Sequence, residues 1–162
     1  MKRTAQVALL LGSVLLCLFA LGADEPADPG QRRAEAAKLM QEGNWNEAYE
    51  RFSRLALDPK DDQAAADLHN AVNCLQRLGR ISEFDTFVEN VLEAHPKDWS
   101  LLKQAADEYM QVEKYGFIIA GEFQRGHHRG GTGKHVITYQ RDRVRALPLM
   151  LPAIRNAEQK PP

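Results

Sequence analysis

Apolar residues recur at helical spacing through most of this chain. Leu68, Ala71, Val72, Leu75 and Leu78 fall at three- and four-residue steps on one helix face, and Phe84, Phe87, Val88, Val91 and Leu92 repeat the pattern in the next segment. Leu102, Ala105, Ala106 and Tyr109 outline a further helix after Asp98, a residue suited to cap it. Residues 117–123 follow as the expected second half of that hairpin. No sustained apolar–polar alternation marks a sheet, so the pattern predicts an all-α protein. Ile137, Val144, Leu147, Leu151 and Ile154 outline a last amphipathic helix over 136–157, which Pro148 and Pro152 must kink or split, with a tail at 158–162.

Two stretches repeat. Gly43-Asn44-Trp45-Asn46-Glu47-Ala48-Tyr49-Glu50-Arg51-Phe52 and Gly79-Arg80-Ile81-Ser82-Glu83-Phe84-Asp85-Thr86-Phe87-Val88 each place a large apolar residue two positions after the glycine and packing residues five and nine after it. Each then closes on a proline, at Leu57-Asp58-Pro59 and Ala94-His95-Pro96; the glycines lie 36 apart and the prolines 37 apart. A glycine permits a tight turn between two helices, and a proline stops the second before the next begins. Asn44 with Glu47 has the form of a capping box, and Ser82 can cap the equivalent helix. In the third unit Glu113 stands where glycine is expected and no closing proline follows, so that unit is degenerate.

Over residues 32–123 this pattern resembles the tetratricopeptide repeat family. The resemblance implies an all-α, short right-handed solenoid of about three helix-turn-helix hairpins, with the C-terminal helix as a cap over the third. It also implies a concave face that binds a protein or peptide, for which Asn70, Asn73 and Gln104 on the first helices are candidate contributors. An ordinary helical bundle is the alternative architecture.

The N-terminus departs from this pattern. Lys2 and Arg3 precede a charge-free apolar run at 5–21; Ala20-Leu21-Gly22 or Leu21-Gly22-Ala23 offers small residues for cleavage, and Asp24-Glu25-Pro26 ends the apolar character. Residues 1–23 therefore read as a secretory signal peptide and predict an exported protein, periplasmic or secreted. An uncleaved signal anchor holding the chain to the membrane is the alternative. Leu16 is too large for the small residue that precedes a lipidated cysteine, which sets aside Cys17 as a lipid site. Residues 24–31 carry too little apolar content to pack and read as a flexible leader. Loss of Lys2, Arg3 and Cys17 takes the net charge from −1 to about −3 and leaves Cys74 as the one thiol, without a disulfide to form. Such a balance makes nucleic acid an improbable partner on overall charge.

Candidate chemistry is confined to residues 124–135, a loop rich in glycine, histidine and arginine. Gly130-Gly131-Thr132-Gly133-Lys134 suggests a phosphate loop, but His128 and His135 occupy the positions that need glycine and a hydroxyl. His127, His128 and His135 lack the cysteine or carboxylate that completes a tetrahedral metal set, so no metal and no cofactor is expected. Arg125, His127, His128, Arg129, Lys134 and His135 beside glycine N–H groups form a candidate anion- or partner-binding loop. In the competing reading the loop glycines only turn the chain, while Arg141, Arg143 and Arg145 pair with acids on neighbouring repeats. No hydrolase elbow, zinc-protease motif or dinucleotide fingerprint occurs, so no catalytic residue is assigned.

A second resemblance rests on the runs Arg54-Leu55-Ala56-Leu57-Asp58-Pro59, Cys74-Leu75-Gln76-Arg77-Leu78-Gly79-Arg80, Gly116-Phe117-Ile118-Ile119-Ala120-Gly121-Glu122-Phe123, Gly126-His127-His128-Arg129-Gly130-Gly131 and Arg141-Asp142-Arg143-Val144-Arg145-Ala146-Leu147. They look like the leading helical region of large bacterial alpha-2-macroglobulin-like proteins. Those proteins' sandwich domains, bait region and thioester cysteine are missing, so the resemblance implies a helical leader module and no protease trapping. Together these readings predict a non-catalytic exported scaffold for a protein or peptide partner with acidic character. The alternatives are a binder of an anionic polymer through the basic loop, or the leader fragment of an alpha-2-macroglobulin-like protease-trapping protein.

Overall fold

The computed structural model describes residues 28–158, with side chains described to Arg155. The expected signal peptide at 1–23, the start of the leader and the end of the tail lie outside those residues. Helix α1 (Pro29–Gln41) is opened by Asp28, whose carboxylate accepts from the Gln31 N–H, with Pro29 in the first turn. The latter part of the expected leader is therefore helix, because a cap and a proline supply a start signal that low apolar content hides.

Helices α2 (Trp45–Leu57), α3 (Ala64–Leu78), α4 (Phe84–Ala94) and α5 (Trp99–Gln111) follow the repeat as read from the sequence. Gly43 and Gly79 sit at φ +84° and +67°, the left-handed region that lets each hairpin turn back on itself. Pro59 and Pro96 stand just beyond the ends of α2 and α4. Asp98 caps α5, accepting from the N–H groups of Ser100 and Leu101. The other two expected caps are absent. The Asn44 side chain makes no cap bond, its own N–H closing instead onto the Leu39 carbonyl at 2.9 Å. Ser82 lies within a 3₁₀ turn, Ile81–Glu83, which delivers the chain into α4 without a side-chain cap.

One continuous apolar core joins these helices. Phe52, Leu68, Leu75, Phe84, Val88 and Leu101 are all fully buried, each contributing about 1.5–3 kcal/mol by leaving water. Phe84 meets Tyr109 edge to face at 5.2 Å, a further link between α4 and α5. His95, buried beside Pro96, bonds through Nε2 to the Ala56 carbonyl at 3.0 Å and ties the end of α4 to α2.

After α5 the chain leaves the expected path. Residues 117–123 are not a helix: β1 (Tyr115–Ile119) and β2 (Glu122–Arg125) form a hairpin, and β3 (Lys134–Ile137) pairs antiparallel with the other edge of β1. The sheet order is β2-β1-β3. Ala120 and Gly121 turn the hairpin at φ 50° and 90°, the positive pair that a two-residue turn between twisted strands requires. The loop expected at 124–135 thereby loses both ends to strands.

Helix α6 (Tyr139–Glu158) starts later than the expected 136 and runs through Pro148 and Pro152 as one element, so the prolines do not split it. It packs along α5 in the place of that helix's missing partner. The third hairpin is thus complete, with a small sheet inserted between its two helices. The fold is a short tetratricopeptide-like helical solenoid, as the repeat implied. The apolar stripe that outlined α6 does not face the core, however. Val144, Leu147, Leu151 and Ile154 are exposed, Ile137 is an exposed strand residue, and Ala146, Leu149 and Ala153 are buried instead. Two of those three buried residues are alanine, so the inward face is small and gives a weaker sequence signal.

Candidate partner-binding surfaces

On the first helices of the second and third hairpins, four polar side chains converge. His69 Nδ1 lies 2.7 Å from Glu108 Oε1, and Gln104 Nε2 donates to the same oxygen at 2.7 Å. Asn73 Nδ2 lies 3.1 Å from His69 Nε2. The buried Glu108 carboxylate is thus the anchor, and half-exposed amide and imidazole groups cover it. Such a cluster can exchange its bonds for those of a peptide backbone without leaving a buried group unpaired. Of the sequence-read contributors, Asn73 and Gln104 are brought together, while Asn70 is half-buried outside the cluster. Sequence reading missed His69 and Glu108; their four-residue spacing from Asn73 and Gln104 on one helix face was the available signal.

The basic loop is divided by the structure. Arg125 is not part of an anion site: it is 1% exposed, and its five N–H groups are committed. Nε and Nη2 donate to the two Asp85 oxygens at 2.9 Å, Nη2 and Nη1 to the two Asp142 oxygens at 2.7 and 3.0 Å, and Nη1 to the Glu113 carbonyl at 2.8 Å. The rings of Phe84 and Phe123 lie 5.2 and 5.4 Å from the guanidinium carbon. Burial works against this charge, but the bonds and charges of Asp142 and Asp85 hold the Arg125 pKa above its usual value. The Thr138 hydroxyl donates to Asp142 at 2.8 Å, and Lys114 Nζ stands 3.6 Å from it while also donating to the Tyr109 carbonyl.

The rest of the loop does face water. His127, Arg129, Lys134 and His135 are exposed and His128 is half-buried. Phe117 gathers two of the histidines, with ring centroids 6.0 Å from His128 and 5.3 Å from His135, which also stacks on Tyr115 at 6.0 Å. Among the described residues no three His, Cys, Asp or Glu side chains converge as metal ligands. The Cys74 thiol is buried and pushed up to about 11 by that burial, which keeps it protonated and unreactive. Arg141 and Arg145 follow the competing reading of the arginines. Arg141 pairs with Asp85 at 2.6 Å, and Arg145 forks onto both oxygens of Glu89 at 2.6 Å, so α6 is clamped to α4.

The second helices frame a further groove that sequence reading did not find. A depression of about 430 Å³ between α2 and α4 and one of about 520 Å³ between α4 and α6 share Thr86 and Asn90. Their walls mix Tyr49, Leu57, Phe87 and Val144 with charged side chains that are already paired.

The geometry defines a helical-repeat protein. Residues 39–108, from late α1 to late α5, match the tetratricopeptide repeat family. Such repeats generally bind protein or peptide partners and are generally non-catalytic. No curated protein and no solved structure matches the chain, and none of these comparisons connects it with the alpha-2-macroglobulin-like proteins.

Proposed function

We propose that this chain is an exported, non-catalytic adaptor that holds a segment of a protein or peptide partner on the face made by α3 and α5. The observation that carries this reading is the convergence of His69, Asn73, Gln104 and Glu108 on successive first helices, where a stacked array offers a ladder of side chains to an extended chain. Export rests on Lys2, Arg3 and the apolar run at 5–21, with an uncleaved anchor as its alternative. An acidic partner would be steered by Arg129 and Lys134, which remain exposed where Arg125 does not.

A displayed random-peptide library panned on the full chain should enrich one family of sequences. Affinity for those peptides should fall about tenfold or more in Asn73→Ala combined with Gln104→Ala. Enrichment indifferent to both substitutions refutes the site. An anionic polysaccharide that binds more tightly than any peptide, and is released by moderate salt, would refute the partner class. N-terminal sequencing of the exported protein tests the cleavage: a mature chain starting near Asp24 supports it, and an intact Met1 favours the anchor.

A further inference from the structure

We infer that the outward face of α6 is a docking surface for an amphipathic helix of another protein, one whose apolar seam is edged by carboxylates. Val144, Leu147, Leu151 and Ile154 are 69, 57, 60 and 52% exposed. Their steps of three, four and three residues keep them in one line, the spacing by which helices interlock along a seam. At about 100° per residue, that line lies about 150° around the helix from Ala146, Leu149 and Ala153, which face the core. A helix apolar on two opposite sides is built to be covered on both.

The repeat stack indicates the shape of the cover. Each second helix in the array lies against the first helix of the next hairpin, α2 against α3 and α4 against α5. Helix α6 is the second helix of the third hairpin, and among the described residues that neighbouring place is open. A helix is therefore the occupant that continues the interface already formed twice.

Charge then selects which helix. Arg143 and Arg155 flank the seam at about 60° to either side, and both are exposed. Neither has an ion pair or hydrogen bond among the described residues, in contrast to Arg141 and Arg145 on the α4 side of the same helix. Asp142, the one acid of α6 among its residues with described side chains, is fully buried. A second copy of this chain would set these arginines against each other, whereas a helix with Asp or Glu at its seam edges pairs with both. At the start of α6 a depression of about 390 Å³, lined by Met110, Lys114, Tyr139, Gln140 and Arg143, extends the seat. This face is separate from the α3–α5 cluster, and the inference does not rest on that reading.

The test uses the full chain and two synthetic helical peptides, stapled on the far side. They share a leucine seam of the same spacing and differ only at its edges, glutamate in one and lysine in the other. Fluorescence anisotropy at low salt should give the glutamate peptide at least about tenfold tighter binding. Leu147→Gln with Leu151→Gln, both at exposed positions, should abolish it, and Arg143→Glu with Arg155→Glu should invert the preference. Asn73→Ala with Gln104→Ala should leave it unchanged, which separates this site from the adaptor face. Equal binding of the two peptides, or binding that survives the double glutamine variant, overturns the inference. Co-sedimentation with phosphatidylcholine–phosphatidylglycerol vesicles that only the glutamine variant loses, while neither peptide binds, overturns it in favour of a lipid surface. A concentration-dependent dimer dissolved by the same variant overturns it in favour of a second copy.

Discussion

Between α2 and α5, neighbouring helices meet mainly through uncharged side chains: Phe52, Leu68, Leu75, Val88 and Leu101 interlock in one apolar core. Beyond Val112 the joint is organised differently. There the sheet, the end of α5, α4 and α6 all converge on the guanidinium of Arg125, through Glu113, Asp85 and Asp142. The difference matters because apolar burial is non-directional, whereas a guanidinium fork fixes the angles at which its partners approach. The repeat stack can tolerate repacking; the inserted sheet, α4 and α6 are held in register at one guanidinium, with Arg141 and Arg145 adding further pairs to α4.

The sharpest way to break that contrast is Arg125→Ala. It leaves the Asp142 carboxylate, 0% exposed, without its main partner and should cost about 3–5 kcal/mol, read as loss of amide-exchange protection in the sheet and α6 while α1–α3 stay protected. Arg125→Met with Asp142→Leu, replacing the pair by apolar groups, should recover most of that loss. Phe52→Ala should cost a similar ~3–5 kcal/mol but lower protection throughout the helical stack. Uniform loss in both variants would show that the two regions unfold as one.

Gly116→Ala should cost about 1–3 kcal/mol by chemical denaturation, because an added Cβ would lie 2.3 Å from the Gln124 carbonyl oxygen and 2.5 Å from the Phe123 ring. Acid should separate the regions without mutation. Burial would raise Asp142, but hydrogen bonds from Arg125 and Thr138 and the charges of Arg125 and Lys114 outweigh it and hold its pKa below the usual range. The Arg145 hydrogen bond does the same for Glu89, against the effect of burial. Folded values below unfolded ones mean that these groups stabilise fully above about pH 4, and that the contribution is lost as pH falls through the folded values. Asp67 behaves in the opposite sense. Burial raises it despite the Arg33 pair, so its contribution is present below the unfolded value and is lost as pH rises through the folded one. Exchange protection in α6 should therefore disappear at a higher pH than in α1 and α3. The smallest test compares two caps: Asp98→Ala should cost about 1 kcal/mol and Asn44→Ala only a few tenths, since only the first makes a side-chain cap bond.

Much of the helical stack was legible residue by residue. Gly43, Gly79, Pro59 and Pro96 punctuate two hairpins as their spacing required, and the apolar sets of α3 and α4 are buried as their periodicity required. The sheet was not legible by period because β1 spans only Tyr115–Ile119, too short for alternation to stand out. Its aromatic and β-branched content was the available signal. Half of the α3–α5 cluster was named from the sequence, Asn73 and Gln104. The acid and the histidine that organise it were passed over, because an isolated Glu108 on a helix reads as a solvated charge.

By itself the sequence determined a stack of helical hairpins, since glycine turns, proline stops and three-four periodicity act within a few residues of one another. Tertiary structure alone decided what Arg125 does and which side of α6 is inside. Arg125 reads as a loop cation until Asp85, 40 residues away, and Asp142, 17 residues away, are brought around it. Helix α6 carries apolar residues on two sides, and periodicity cannot rank them; the close approach to α5 selected the side with Ala146 and Ala153 and left Val144, Leu147, Leu151 and Ile154 in water.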